Sequence, residues 1–164
     1  MGITFNADEI FEMAEEIERN GAKFYREAAK KTRDNKTKKM LLDMAVMEDG
    51  HLKTFQEMRN ELGADEKEPF IFDPGNEAAV YLQTMADSRG YEGKKSLTEK
   101  LSGKESIEDV LNIAVEAEKN SVVFYTGLKE MVPARAGKDK VTAIIKEELG
   151  HLATLKTSLA ELRE

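Results

Sequence analysis

His51 and His151 are the only two histidines in the chain, and each has a glutamate three residues before it, Glu48 and Glu148. Residues three apart on a helix share a face, so each Glu-x-x-His pair presents a carboxylate and an imidazole side by side. Each histidine also has a glutamate 33 residues before it, Glu18 and Glu118. Glu makes up 23 of the 164 residues. Four such coincidences arise by chance at a frequency on the order of 10⁻⁴ to 10⁻³, judged by counting matches to a template. Four carboxylates and two neutral imidazoles balance two divalent cations, −4 against +4. Such a mixed oxygen and nitrogen donor set, with carboxylates able to bridge two ions, suits iron or manganese, zinc being a less natural occupant.

The motifs lie in an internal repeat with an offset of 100 residues. AEEIERNGAKFY (14–25) over AVEAEKNSVVFY (114–125) gives six identities in twelve positions, and EDGHLKT (48–54) matches ELGHLAT (148–154) at Glu, Gly, His, Leu and Thr. Across 26–39 and 126–139 only one position agrees. The halves share two short patches and little else, as a paired site built once from each half would.

Four amphipathic segments must position these groups. The first, Asp8 to Lys31, carries the stripe Ile10, Ala14, Ile17, Gly21, Phe24/Tyr25, Ala28 at helical spacing, with Asn6 or Asp8 as its cap. The second, Lys36 to Leu62, carries Leu41, Met44, Glu48, His51/Leu52, Phe55, Met58 and Leu62, and Gly63 is a candidate left-handed residue after its end. The third, Ser106 to Met131, opens on a Ser106/Asp109 capping pair and carries Ile107, Leu111, Ala114, Glu118, Ser121/Val122, Tyr125 and Leu128. The fourth, from Ala134 or Gly137 to Leu162, carries Val141, Ile144, Glu148, His151/Leu152, Leu155, Leu159 and Leu162. All six chemical residues fall on the apolar stripes, Glu18 four residues after Ala14 and three before Gly21. With a turn near residue 34, positions 18 and 50 stand at about the same height in an antiparallel hairpin, since a helix rises ~1.5 Å per residue. The turn near 133 does the same for 118 and 150, so the six side chains can meet in one layer.

The expected architecture is all-α: one domain over 1–164, with helical hairpins at about 8–62 and 106–163 joined by a long crossover, 63–105. Pro69, Pro74, Gly75, Gly90, Gly93 and Gly103 punctuate the crossover, in which 76–87 predicts a short helix and 96–101 a single turn. Its aromatics Phe70, Phe72, Tyr81 and Tyr91 cover the bundle or form a dimer face, and a homodimer is the expected assembly.

Composition excludes several classes. Cysteine is absent, which rules out disulfides, zinc ribbons, thiolate-ligated iron–sulfur clusters and a cysteine nucleophile within these residues. A net charge of −7 without a basic tail argues against nucleic acid or anionic membrane as a partner. With no run of ~18 apolar residues and no signal-like N-terminus, a cytoplasmic location is expected. Met40, Met44 and Met47 read as core filler, and Glu16 and Glu116 as a solvated face. Gly21 and Ser121 leave room for a small oxygen species or for close helix packing. Gly50 and Gly150, costly within helices, suggest tight packing or local distortion. Tyr25 and Tyr125, seven residues from Glu18 and Glu118, share their stripe and stand to hydrogen-bond a ligand on a neighbouring helix or simply to fill the core.

Glu, about thirty residues, Glu-x-x-His, given twice, resembles the di-iron carboxylate proteins of the ferritin-like superfamily. EIERNGAKFY and EAEKNSVVFY narrow the resemblance to the rubrerythrin-related branch, and it covers 8–62 and 106–163. It implies a ferritin-like four-helix bundle in which two iron ions are held by Glu18 and His51 and by Glu118 and His151 as terminal ligands, with Glu48 and Glu148 bridging. It further implies an oxidoreductase acting on O₂ or H₂O₂. Rubrerythrins carry a rubredoxin-like Cys₄ iron domain. This chain has no cysteine, so electrons are expected from a separate electron-transfer protein. The additional glutamate that rubrerythrins place near the third-helix ligand has no counterpart either, Val115 and Ser121 standing three residues to each side of Glu118. The alternatives are an iron-binding ferroxidase with Fe(II) as substrate and a non-catalytic, metal-stabilised module.

Overall fold

The structure is a computed structural model, described for residues 6–63, 98, 101–132 and 134–163. Four long helices account for nearly all of these: α1 (Ala7–Lys31), α2 (Asn35–Asn60), α3 (Ile107–Met131) and α4 (Lys138–Glu161), with a short 3₁₀ turn at Ala134–Ala136. The short helix expected at 76–87 and the crossover aromatics Phe70, Phe72, Tyr81 and Tyr91 lie outside the described residues. Leu101 N–H donates to the Thr98 carbonyl at 3.0 Å, within the turn expected at 96–101.

Local sequence chemistry sets where each helix starts. Asn6 caps α1: its side chain accepts from the Glu9 N–H at 2.8 Å, and the Glu9 carboxylate accepts from the Asn6 N–H at 3.0 Å. Ser106 and Asp109 form the same reciprocal pair at α3, at 3.1 and 2.9 Å. Asp34 caps α2 through the Thr37 N–H at 2.7 Å. Such caps satisfy N–H groups that the first turn leaves without partners. Gly137 precedes α4 at φ +98°, a conformation any L side chain would strain.

Helix α1 pairs with α2 and α3 with α4 as antiparallel hairpins. Arg59 reaches Asp8 at 2.9 and 3.0 Å across the first, and Arg163 reaches Glu108 at 2.6 Å across the second. The hairpins pack with α1 against α3 and α2 against α4, both antiparallel: Tyr25 meets Glu118, Tyr125 meets Glu18, and His51 meets Glu147 and Glu148. The end of α2 and the start of α3 therefore stand at opposite ends of the bundle. The connection between Asn60 and Ile107 has to climb about 37 Å, the rise of a 25-residue helix.

Two apolar clusters fill the interior. Phe11, Phe55, Met58, Phe124, Leu128 and Ile144 lie in one, and Phe24, Leu41, Met44, Leu111, Leu155 and Leu159 in the other. The layer between them holds the buried carboxylates and imidazoles.

Four expectations need correction. Gly63 does not cap α2, whose last residue before the loop, Glu61, stays right-handed; Leu62, buried against the first cluster, holds the exit in place. Met47 is not core, at 39% exposed, and Leu162, at 45%, is past the end of α4 and its stripe. Neither tight packing nor a break in the helix explains Gly50 and Gly150. A side chain at either would meet nothing within 4 Å, and both helices run through without interruption.

Candidate metal centre

Glu18 comes from α1, Glu48 and His51 from α2, Glu118 from α3, and Glu148 and His151 from α4. All six are buried, none more than 4% exposed. A buried, uncompensated carboxylate costs several kcal/mol, and like charges add to it. Apart from Glu15, which Arg59 meets at 3.5 Å at the bundle surface, these are the buried carboxylates of the described residues.

Their donor atoms converge. His51 Nδ1 stands 3.0 Å from Glu148 Oε1 and 3.4 Å from Glu18 Oε2. His151 Nδ1 stands 2.9 Å from Glu148 Oε2, 3.2 Å from Glu48 Oε1 and 3.5 Å from Glu118 Oε1. The imidazole rings stack with centroids 5.8 Å apart. Despite these approaches, both Nδ1 atoms, Glu18 Oε2, Glu48 Oε1 and both Glu148 oxygens make no hydrogen bond among the described residues. They approach one another without the alignment that proton sharing requires. Donors at about 2.1 Å from a common cation, at right angles, stand about 3.0 Å apart, close to the shorter of the 2.9–3.5 Å separations here.

The six side chains resolve into two overlapping sets, each with its donor atoms within 4.8 Å of one another: Glu18, Glu48, His51 and Glu148, and Glu48, Glu118, Glu148 and His151. Glu48 and Glu148 belong to both. These are the two residues for which the sequence resemblance implies bridging.

Protonation states report the same crowding. Burial pushes the Glu18 carboxyl up, opposed by His51 and reinforced by Glu148. Burial and then the charge of Glu18 raise Glu48 well above the usual carboxylate range. Burial, resisted by His151 and reinforced by Glu48 and Glu148, moves Glu118 up to about 8. Glu148 goes the other way: burial would raise it, but contact with both imidazoles and with Glu118 outweighs burial and holds it low. Burial disfavours charged imidazoles, yet the facing carboxylates prevail and raise His51 to about 11 and His151 to about 12. Without metal the layer therefore retains protons where cations would sit, and cation uptake has to displace them.

The tyrosines tie the hairpins together at this layer. The Tyr25 hydroxyl donates to Glu118 and the Tyr125 hydroxyl to Glu18, so each hairpin orients the other's carboxylate. Burial, then the neighbouring carboxylates, raise both phenols well above their usual range and keep them as donors. Glu16 and Glu116 are surface groups paired with Arg19 and Lys119. Val115 packs in an apolar cluster and Ser121 donates to the Ala117 carbonyl at 3.1 Å, so neither offers an additional ligand.

Gly21 is explained by close approach. A Cβ there would stand 2.8 Å from Glu48 Oε2. Gly21→Ala is expected to displace the shared carboxylate without unfolding the bundle, because the obstructing atom ends a flexible side chain. The expected outcome is an affinity loss of about tenfold, the low end for changes that misplace ligands, with an unchanged far-UV circular dichroism spectrum. Wild-type metal affinity in this variant would refute that role for Gly21.

Sequence reasoning missed Glu147, whose Oε2 stands 2.9 Å from His51 Nε2. Beyond its place beside Glu148, no signal marks it in a chain with 35% charged residues.

Among solved structures, the chain resembles one from Thermotoga maritima described as a ferritin-like diiron-carboxylate protein. The likeness has a TM-score of 0.76 and 24% identity and covers 98% of this chain and 99% of that one; at this identity it speaks to the fold. No curated protein matches the chain. The Rubrerythrin family model matches residues 9–159, spanning both hairpins and all six buried ligand-type residues, and the chain belongs to the rubrerythrin family.

Proposed function

We propose that this chain is a di-iron carboxylate oxidoreductase that reacts with O₂ or H₂O₂ and draws its electrons from a separate protein. The observation that carries this reading is the pair of four-residue donor sets sharing Glu48 and Glu148. Iron bound there, through Glu18, Glu48, His51 and Glu148 and through Glu48, Glu118, Glu148 and His151, would supply one-electron redox chemistry toward an oxygen species.

The chain's own contribution is electrostatic and positional. Four carboxylates offset the charge of two divalent ions, so the loaded layer is close to neutral and compatible with its burial. Tyr25 and Tyr125 hold Glu118 and Glu18 from the opposite hairpin. The apolar clusters on either side leave the six side chains almost fully buried, which limits the access of bulk water to the layer. With no cysteine in these 164 residues, no thiolate-ligated iron relay serves the site from within.

The test is anaerobic loading with Fe(II) followed by rapid mixing with H₂O₂ and, separately, with O₂, recording ferric absorbance. Oxidation at least about tenfold faster than that of free Fe(II), a barrier reduction of ~1.4 kcal/mol, is the expected result. If neither oxidant outpaces the free ion, the oxidoreductase reading fails.

A further inference from the structure

The two halves of the cluster differ in what stands behind each histidine. His51 is clamped between consecutive residues of α4: Nδ1 faces Glu148 Oε1 at 3.0 Å, and Nε2 faces Glu147 Oε2 at 2.9 Å. The repeat should clamp His151 in the same way between Glu48 and residue 47. Glu48 does its part, with Oε1 at 3.2 Å from Nδ1, but residue 47 is methionine, whose thioether carries no charge and accepts only weakly. Nε2 of His151 is buried and has no hydrogen-bond partner among the described residues.

We propose that Glu147 is a positioning residue that fixes His51 with Nδ1 free toward the cluster, and that Met47, lacking this capacity, leaves the His151 half weaker, so that the centre fills in order, the His51 half first. This inference rests on the metal-binding reading of the cluster. A neutral imidazole has one N–H and one lone pair, and which nitrogen carries the proton follows the acceptor available to it. An Nε2–H donating to Glu147 leaves the Nδ1 lone pair aimed at Glu18 and Glu148. A carboxylate behind a ligating imidazole also makes the ring more basic and locks its orientation, and removing such a partner typically lowers metal affinity 10–100-fold. His151 Nδ1 faces three carboxylates, Glu148, Glu48 and Glu118, but its Nε2 has no such anchor among the described residues. Its ring orientation is set by packing and by the cluster itself.

Both positions accept substitution. The Glu147 side chain is 57% exposed, and Met47 is 39% exposed on α2. The experiment is anaerobic titration of the full chain with Fe(II) against a competing chelator, in wild type, Glu147→Ala, Glu147→Gln and Met47→Glu, with His51→Ala and His151→Ala assigning each step to its half. Wild type is expected to load in two steps separated by at least about tenfold. Glu147→Ala should weaken the first step about 10–100-fold and merge the two, Glu147→Gln should retain part of the separation through its amide oxygen, and Met47→Glu should tighten the second step. A second readout separates positioning from a general structural role. In the Zn(II)-loaded, ¹⁵N-histidine-labelled chain, the His51 Nε2–H resonance should be downfield and protected from exchange in wild type, and lose both properties in Glu147→Ala. Two indistinguishable steps in wild type, or steps and a resonance that Glu147→Ala leaves unmoved, overturn the inference while the metal site stands. A wild-type chain that takes up no Fe(II) overturns the metal-binding reading and this inference with it.

Discussion

Glu48→Gln is expected to abolish stable metal uptake by both halves of the cluster while leaving the metal-free protein's melting temperature within about 2 °C of wild type, a change of under ~1 kcal/mol for a chain of this size. The asymmetry between the two states follows from burial. Glu48 is 4% exposed and lies between apolar clusters, so without a cation desolvation and the charge of Glu18 push its carboxyl toward the neutral form, against the contact with His151. Glutamine is then close to isosteric and equally uncharged, and the metal-free layer has little reason to distinguish the two. With metal present the difference is large. Glu48 belongs to both donor sets, and an amide supplies neither the charge nor a second anionic oxygen. Each ion should lose at least about a hundredfold in affinity, the upper end of what partners one shell further out provide. His51→Ala is the contrast. It touches only one set, so about one ion per chain should remain, bound more weakly. Elemental analysis after gel filtration, with melting curves of chelated samples, checks both parts. A Glu48→Gln chain that retains its metal would show that the shared carboxylate is no ligand. A metal-free form melting many degrees lower would assign Glu48 to the fold.

The same physics explains which features were legible in the sequence. Glu18, Glu48, His51, Glu118, Glu148 and His151 stood out because an ionisable residue on an apolar stripe contradicts the pattern around it, and the 100-residue offset repeated that contradiction. Helix starts were legible where a side chain acts on its own neighbours, as at Asn6 and Ser106. What was not legible depends on register between helices. That Tyr25 serves Glu118 and not a ligand of its own hairpin follows from α1 packing antiparallel to α3. The approach of Glu147 to His51 requires α4 to lie against α2 within one residue of its actual register. Gly21 reads from the sequence as room for a small oxygen species or for close packing, and only the structure identifies the Glu48 carboxylate as what it accommodates. Gly50 and Gly150 show the limit of the repeat as evidence. They recur at the same offset, yet a side chain at either would meet nothing, and no structural reason for them emerges. Met47, read as core filler, stands half-exposed at the position where the repeat has a thioether in place of the Glu147 carboxylate.

Metal removal should lower the melting temperature by about 10 °C or more per ion displaced. Seven buried side-chain nitrogen and oxygen atoms lack a hydrogen-bond partner among the described residues, and all belong to Glu18, Glu48, His51, Glu148 and His151. An unsatisfied buried polar atom costs roughly 1–3 kcal/mol, a burden the metal-free fold carries and protonation only partly relieves. Cations relieve it by binding the folded layer and not the unfolded chain, where α1 to α4 no longer bring their donors together. An ion present at a thousand times its Kd stabilises by about 4 kcal/mol, and each kcal/mol shifts Tm by about 2–4 °C in a chain of 150–250 residues. Calorimetry on chelator-treated protein, then on the same sample reloaded anaerobically with Fe(II), measures the difference, and reloading with Mn(II) or Zn(II) ranks the metals by the stabilisation each confers. The shift must also vanish in Glu48→Gln, which separates coordination at this layer from adventitious binding to the acidic surface of a chain with net charge −7. Chelated and reloaded samples that differ in metal content but melt within about 2 °C of each other, below ~1 kcal/mol, would mean that the layer is stable without cations and that its buried carboxylates are compensated by protons alone.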